Sequence, residues 1–409
     1  MKHVIIGNSA AAIGAVEGIR EIEKASEIVL ISDEKHFTYS RPLISYYLEG
    51  KTDRAHMHYR DYDFYETNKC IPMLGVTATK IDVKKKRVLT VDNSFVAYDK
   101  LLVATGSKAF VPRIEGLDSV NEKYTFMNLD DAESLLNALR PTSRVLILGA
   151  GLIGMKCAEG LYEHVSSVTI VDLAERILSS ILDAESAQII SERITSKLNI
   201  LLKTSVTRFV GNTAYLTNGA SIEFDVLVVA VGVRPNTAIF EDCGGKIAKG
   251  IIVNSKQETN IKDIYAAGDV CESYDMTISQ NRILALLPNA YMQGHTAGKN
   301  MAGCETEMIA TLPMNAMGLF GTHIVTAGAY TEQKFIDRKN GYKSLFVDGD
   351  KLKGYIIIDG IEKAGIYTAL IRESVALSKE DFELIRVSPT LAAFSDAYRK
   401  GVLSGSKNK

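Results

Sequence analysis

A short apolar run ends in a glycine-rich turn at two places in this chain, and the second of these turns most constrains what the chain can fold into. Val145-Leu146-Ile147-Leu148 meets Gly149-Ala150-Gly151-Leu152-Ile153-Gly154, and a helical pattern continues to about His164. The order is strand, tight turn, helix. Glycines at these spacings allow the turn itself, close approach of a pyrophosphate to the helix N-terminus, and packing of the helix on its strand. The next apolar run, Val168-Thr169-Ile170-Val171, ends in Asp172, and 172 − 149 = 23 residues matches an acid expected roughly 20 residues past the first glycine of a dinucleotide site. A carboxylate there accepts a ribose diol and repels a 2′-phosphate, which favours NADH over NADPH. Arg176 is the residue that could weaken this preference.

The same grammar opens the chain. Lys2 to Gly7 is a short apolar run, followed by Asn8-Ser9-Ala10-Ala11-Ala12 and alternating apolar residues through Ile19. Ser9 and Ala12 replace the second and third glycines, and both are small enough for close approach. The matching acid is Asp33, with Glu34 beside it as the alternative. A chain of 409 residues that is 46% hydrophobic requires two or three compact domains. Cys70 to Asp82, Arg87 to Val91 and Ser94 to Tyr98 read as short strands, with a turn at Asp92-Asn93. Leu101 to Ala104 and Val226 to Val231 are buried runs that stop at Thr105-Gly106-Ser107 and at Gly232-Val233-Arg234-Pro235-Asn236. Such runs suit a parallel sheet covered on both faces. From about Pro313 the pattern changes to a hairpin around Asp348-Gly349-Asp350 and a helix from Ala364 to Glu373, a separate α+β domain. Residues 404–409 are small and polar and read as a frayed end.

Composition narrows the function classes. Lys plus Arg number 47 against 49 Asp plus Glu, and this balance argues against a nucleic-acid binder. The five cysteines, at 70, 157, 243, 271 and 304, form no CxxC pair, which suggests neither a disulfide framework nor a metal cluster and fits a reducing cytoplasm. No apolar stretch approaches the roughly 18 residues of a membrane span, and the fingerprint at the N-terminus leaves no room for a cleaved signal. His56-x-His58 lacks a third ligand, so no metal is expected. Glu159 and Glu163, on the second fingerprint helix, read as solvated.

The ordered set of the Gly7 turn, Tyr39-Ser40-Arg41-Pro42-Leu43, Ala104-Thr105-Gly106-Ser107, the Gly149 turn, Ala230-x-Gly232-x-x-Pro235-Asn236 and Tyr265-Ala266-Ala267-Gly268-Asp269 resembles the FAD-dependent pyridine nucleotide-disulfide oxidoreductase superfamily. The likeness covers essentially the whole chain. Within the superfamily it is nearest in pattern to NADH:rubredoxin oxidoreductases, ferredoxin reductases and the flavin portion of assimilatory nitrite reductases. It implies an α/β fold of two Rossmann-like dinucleotide-binding domains, glutathione-reductase-like, plus a small C-terminal α+β domain. FAD would be held by residues 1–110 and 236–312, NADH by 111–235, and 313–409 would form an interface domain. Gly7, Ser9, Ala10 and Ala11 would take the FAD pyrophosphate, Asp33 the adenosine ribose, Arg41 a phosphate, Thr105 and Gly106 the flavin region and Asp269 the ribityl chain. Pro42, Ala78, Ala104, Gly232 and Gly268 match further cofactor positions. Gly149, Gly151, Leu152, Ile153, Gly154 and Asp172 would hold NADH. For Arg41 the plain alternative is an exposed salt bridge, and for Asp269 a helix N-cap before Val270.

Two departures from the family pattern are informative. Disulfide reductases of the superfamily carry a redox cysteine at the position that is Pro42 here, and no cysteine lies between residues 1 and 69. Ferredoxin-reductase relatives pair a glutamate, seven residues past the first glycine of the second fingerprint, with a lysine behind the Arg-Pro segment. Here those positions are Lys156 and Tyr46. Lys156 is either a cation stabilising the reduced flavin, the candidate catalytic residue, or a side chain reaching to solvent. The expected activity is electron transfer from NADH through FAD to a small iron protein such as rubredoxin or ferredoxin. A flavin-carrying partner of a larger enzyme, an NADH oxidase or disulfide reductase-like enzyme, and an NADH-sensing binding protein remain as alternatives, each compatible with a homo-oligomer.

Overall fold

A computed structural model describes residues 1–308, 311–390, 394, 399 and 400; the end read as frayed, 404–409, lies outside them. The first apolar run forms the centre of a five-stranded parallel sheet, in the order Ile264–Ala266, Lys100–Val103, Lys2–Ile6, Glu27–Ser32, Cys70–Leu74. The second does the same in a five-stranded parallel sheet ordered Asn199–Leu201, Ser167–Val171, Arg144–Leu148, Val226–Val229, Lys123–Tyr124. The central strands of each sheet are buried on both faces, which is why their middles are continuously apolar rather than alternating. In the first, Ile5, Ile28, Leu30 and Leu102 face the helix Ala10–Ile22, while Val4, Ile6, Val29 and Val103 face the antiparallel strands of residues 78–97. In the second, Leu146, Leu148, Leu227 and Val229 cover a three-stranded antiparallel sheet of residues 206–223, which the sequence reading did not assign. Each fully buried leucine or isoleucine contributes roughly 1.5–3 kcal/mol.

The helix Leu287–Met301, also unassigned from the sequence, lies against the helix Ala10–Ile22 at backbone contact distance. Glycines make this possible. A methyl group added at Gly294 would stand 1.9 Å from the Ala11 carbonyl oxygen, and one at Gly298 2.2 Å from that of Ala15. From the other side, Gly14 and Gly18 abut the carbonyls of Tyr291 and His295. Two G-x-x-x-G stripes therefore interlock.

The C-terminal domain is a five-stranded antiparallel sheet, ordered Met314–Leu319, Thr322–Gly328, Lys351–Ile358, Tyr342–Asp348, Lys334–Asp337. Its hairpin turns at Gly349 with φ +60°, and the helix Ala364–Arg372 follows as expected. The chain divides into two compact units: Met1–Glu175 with Thr195–Tyr274 and Gln280–Thr311, and Arg176–Ile194 with Asp275–Ser279 and Leu312–Lys409. The second unit thus includes the helix Ala184–Ile194, which in sequence is the crossover between two strands of the second parallel sheet. Ionic anchors hold it there: Glu185 meets Lys334, Arg338 and Tyr342, and Arg193 meets Asp359 at 2.7 Å and Thr322 at 3.2 Å. Among the described residues no helix is long and apolar enough to cross a membrane.

Candidate functional site

Both glycine turns are built alike, down to individual hydrogen bonds. Gly7 has φ +132°, its N–H donates to the Ile31 carbonyl at 2.8 Å, and a Cβ there would stand 2.2 Å from the Ala104 carbonyl oxygen. Gly149 has φ +109°, donates to Val171 at 2.9 Å, and would put a Cβ 2.3 Å from the Ala230 carbonyl oxygen. Each glycine is pinched between the C-terminal ends of three parallel strands, where ligands of open α/β sheets sit. Ser9 and Gly151 are the N-caps of the two following helices, and neither supplies a side-chain cap. The first-turn N–H groups keep their dipolar charge for an anion. Around Gly151 a Cβ would meet nothing within 4 Å, whereas one at Gly154 would strike the Gly149 carbonyl at 1.9 Å. One glycine leaves room for a ligand and the other packs helix on strand. Leu152 and Ile153 are half-buried in that first turn, and Ala10 and Ala11 are buried beneath the first fingerprint.

Several distant motifs meet at the first fingerprint. A methyl at Gly268 would touch the Ala11 methyl at 3.1 Å, so the Gly268-Asp269 turn lies on the first helix. Burial pushes the Asp269 carboxyl up, opposed by the charge of Arg41 and a hydrogen bond from Ser107. Val270 lies in a turn, so Asp269 caps no helix; that alternative is corrected. Arg41 donates to Ser9 Oγ at 3.4 Å and to the Met127 carbonyl at 3.2 Å, and pairs with Glu34. It is thus half-buried beside the fingerprint rather than an exposed ion pair. Tyr39 completes the group, donating to Glu34 at 2.6 Å and accepting from Leu129 N–H at 3.0 Å. Asp33 is exposed, and its carboxylate makes no hydrogen bond among the described residues. Pro42 is the middle residue of a single 3₁₀ turn, Arg41–Leu43. Ala78 starts the strand Ala78–Asp82, two residues past Val76, whose N–H bonds Ser32. Thr105 and Asn236 exchange hydrogen bonds at 2.8 and 3.0 Å, and beyond Gly106 the segments Ser107–Ala109 and Val233–Pro235 pair as a two-stranded ribbon. Gly232, φ +127°, precedes that ribbon in open space.

At the second fingerprint the Asp172 carboxylate accepts from Ala150 N–H at 2.5 Å and from Ala174 N–H at 2.7 Å, which fixes it beside the glycine turn. Arg176 donates to the carbonyls of Leu182 at 3.0 Å and Ser179 at 3.5 Å. Lys156 does not reach to solvent: its side chain is 18% exposed, pairs with Glu159, and lies 4.8 Å from the centre of the Tyr46 ring. Positions 46 and 156, where relatives are expected to pair a lysine with an acid, therefore meet here as a cation over an aromatic face. Glu159, read as solvated, is 7% exposed, a correction that follows from its pairing with Lys156 beneath the helix Ile44–Leu48. Glu163 is exposed. His56 ends a 3₁₀ turn and bonds Asp53 at 2.7 Å, not in a strand, while His58 lies against Tyr62 with ring centres 4.0 Å apart.

Burial drives the thiols of Cys157 and Cys271 well above the ordinary range and that of Cys70 up to about 12. None of the three offers a thiolate at neutral pH. Sequence reading offers Glu34 only as the alternative to Asp33 and Tyr39 only within its motif, without their joint network with Arg41, and it misses Gln293, which accepts from Gly268 N–H at 2.6 Å. The A-x-x-Q-G spacing around Gln293 carried no signal by itself.

Residues 1–294 match the family model described as pyridine nucleotide-disulphide oxidoreductase, and the chain belongs to that family. It is 29% identical over 385 residues to the NADH-dependent phenylglyoxylate dehydrogenase subunit epsilon of Aromatoleum evansii, covering 90% of this chain and 91% of that one. It is 32% identical to an NADH oxidase of Methanocaldococcus jannaschii, over 76% of this chain and 72% of the other. With the NADH-rubredoxin oxidoreductase of Clostridium acetobutylicum it shares 26% over 81% and 83% of the two chains. The fold is that of the reductase in a covalent putidaredoxin reductase–putidaredoxin complex, with a TM-score of 0.86 at 18% identity, covering 100% and 99%. The chain is an FAD-dependent, pyridine nucleotide-linked flavoprotein oxidoreductase. The residues present fit both groups: two capless helix N-termini at pinched glycines, and an arginine and a half-buried aspartate converging on the first.

Proposed function

We propose that the protein passes electrons from NADH to a small iron-containing carrier, rubredoxin or ferredoxin, in the cytoplasm. The observation that carries this reading is Pro42 in the place of a redox cysteine, with Cys157 and Cys271 buried and held protonated. When bound, FAD supplies two-electron acceptance from the nicotinamide and one-electron release to the carrier. Residues 1–110 and 236–312 hold FAD: the first helix N-terminus and Arg41 neutralise its pyrophosphate, Asp33 takes the adenosine ribose near Ala78, and Asp269 receives the ribityl hydroxyls. Residues 111–235 hold NADH, with its pyrophosphate at Gly151, Leu152 and Ile153 and its ribose at Asp172. Lys156 lies over Tyr46, four residues past Pro42, and is the candidate for setting the electrostatics on that side of the flavin.

A second reading, a flavin-carrying subunit of a larger enzyme, is favoured by the end-to-end match to the phenylglyoxylate dehydrogenase subunit. Stopped-flow mixing of the NADH-reduced yellow protein with rubredoxin, ferredoxin, oxygen and low-molecular-weight disulfides separates the readings. Fast reduction of an iron carrier supports the proposal. Preferential turnover with oxygen or a disulfide overturns it, and a long-lived reduced complex that reduces none of them points to a sensor or to a subunit lacking its partners.

A further inference from the structure

The ribbon that leaves the flavin motif sets two like charges against each other with no acid paired to either among the described residues. Lys108 and Arg234 are cross-strand partners in the antiparallel pair Ser107–Ala109 with Val233–Pro235. Like charges directly opposite on such a pair are destabilising. Both side chains are exposed, and neither forms an ion pair among the described residues. Arg113, a few residues on, is also exposed and unpaired. Between residues 104–116 and 230–237 the single acid is Glu115, against these three cations, in a chain whose net charge is −2. Phe110 stands two residues from Lys108, hence on the same ribbon face, and the Arg234 guanidinium covers its ring at 4.5 Å. Phe110, Val111 and Val231 are 37%, 46% and 42% exposed. By the same alternation Val111 and Val231 lie on the other face, so the cation face carries one aromatic ring among uncompensated cations, an arrangement suited to a charged protein partner. It is continuous with the site, because the ribbon begins directly after Thr105 and Gly106, and Thr105 exchanges hydrogen bonds with Asn236 just past its other strand.

We infer that the ribbon face of Lys108, Phe110, Arg113 and Arg234 docks an acidic redox protein, the electron acceptor. This rests on the carrier reading above. The cations steer the encounter, and Phe110 beneath the Arg234 guanidinium supplies the apolar contact.

The test is the FAD-loaded enzyme as wild type, Lys108→Gln/Arg234→Gln and Lys108→Glu/Arg234→Glu, assayed with an acidic rubredoxin and an acidic two-iron ferredoxin. Binding of each oxidised carrier is measured by calorimetry alongside turnover. Expected are a fall in kcat/KM for the carrier of roughly tenfold or more in the charge-reversed form at low ionic strength, a smaller fall in the neutralised form, and a flatter salt dependence in both. Flavin reduction by NADH and turnover with ferricyanide stay at the wild-type rate. Wild-type carrier turnover and affinity in both variants overturn the surface while leaving the carrier reading intact. An equal loss of NADH-driven flavin reduction also overturns it, and assigns the cations to the nucleotide phosphates. A wild type that neither binds nor reduces a carrier overturns the carrier reading and the surface together.

Discussion

Glu159 is a carboxylate under a helix, and its partner Lys156 is what makes that burial tolerable. Removing one member of a buried ion pair costs about 3 kcal/mol, whereas removing both is close to neutral. Lys156→Gln should therefore destabilise the protein by about 3 kcal/mol in urea unfolding, and Lys156→Gln/Glu159→Gln should recover most of that loss. The flavin potential responds differently. A unit change of charge about 6 Å away at an effective dielectric near 20 is worth roughly 3 kcal/mol, so Glu159→Gln, which makes the site one charge more positive, raises the potential by tens of millivolts, and Lys156→Gln lowers it. Equal potentials in all forms would place the pair beyond reach of the flavin. At Asp172 the carboxylate is already oriented by two backbone donors, and Arg176 is committed to loop carbonyls. Asp172→Ala should lower the ratio of kcat/KM for NADH over NADPH by about tenfold or more; an unchanged ratio would move discrimination to another residue. Asp172 was legible because close backbone approach demands glycine, and glycine spacing is written in the sequence. The network of Glu34, Tyr39, Arg41 and Leu129 was not, since it closes across some ninety residues with no local signature. Glu159 read as solvent-facing for the same reason: what covers it arrives from the distant helix Ile44–Leu48.

Among the elements, the helix Leu287–Met301 shows where local reading fails. Its glycines look like helix weakness, each costing about 1 kcal/mol against alanine, and only the partner helix reveals their use. Gly294→Ala should separate the two helices, lower stability by about 2–3 kcal/mol and weaken FAD retention, which fluorescence of released flavin would record. Gly365→Ala is the control of opposite sign. It lies in the helix Ala364–Arg372 with nothing within 4 Å of the added methyl, so it should stabilise by about 0.5–1 kcal/mol. A stabilising Gly294→Ala would mean that the interlocked packing is not required. The central parallel strands were readable as elements because burial on both faces makes their middles continuously apolar. The sheet of residues 206–223 was not, its strands being short and half exposed.

At the scale of the molecule, stability should depend on acid and on cofactor. Asp263 joins Lys86 and Lys100 at 2.7 Å each, tying the antiparallel layer to the first parallel sheet, and these partners hold its carboxyl down to about 2. A depressed folded pKa gives stability that is full above the unfolded value near 4 and lost as pH falls through about 2. The stability gap between wild type and Asp263→Asn should accordingly shrink across that window; a constant gap would exclude Asp263 as a source of acid sensitivity. FAD at about 100 times its Kd should add about 2.7 kcal/mol over the apoprotein, visible as a lower Tm once flavin is stripped. The duplicated nucleotide plan was legible at this scale because it repeats within one sequence. The membership of the helix Ala184–Ile194 in the second compact unit was not, because its anchors are ionic contacts to strands far along the chain. That arrangement bears on biosynthesis. Domains ordinarily fold in turn as the ribosome releases them, yet this helix emerges long before Lys334, Tyr342 and Asp359 exist to hold it. A nascent chain halted before those strands carries a crossover with nothing to dock on, so ribosome-stalled fragments ending short of residue 359 should be the ones that chaperones retain.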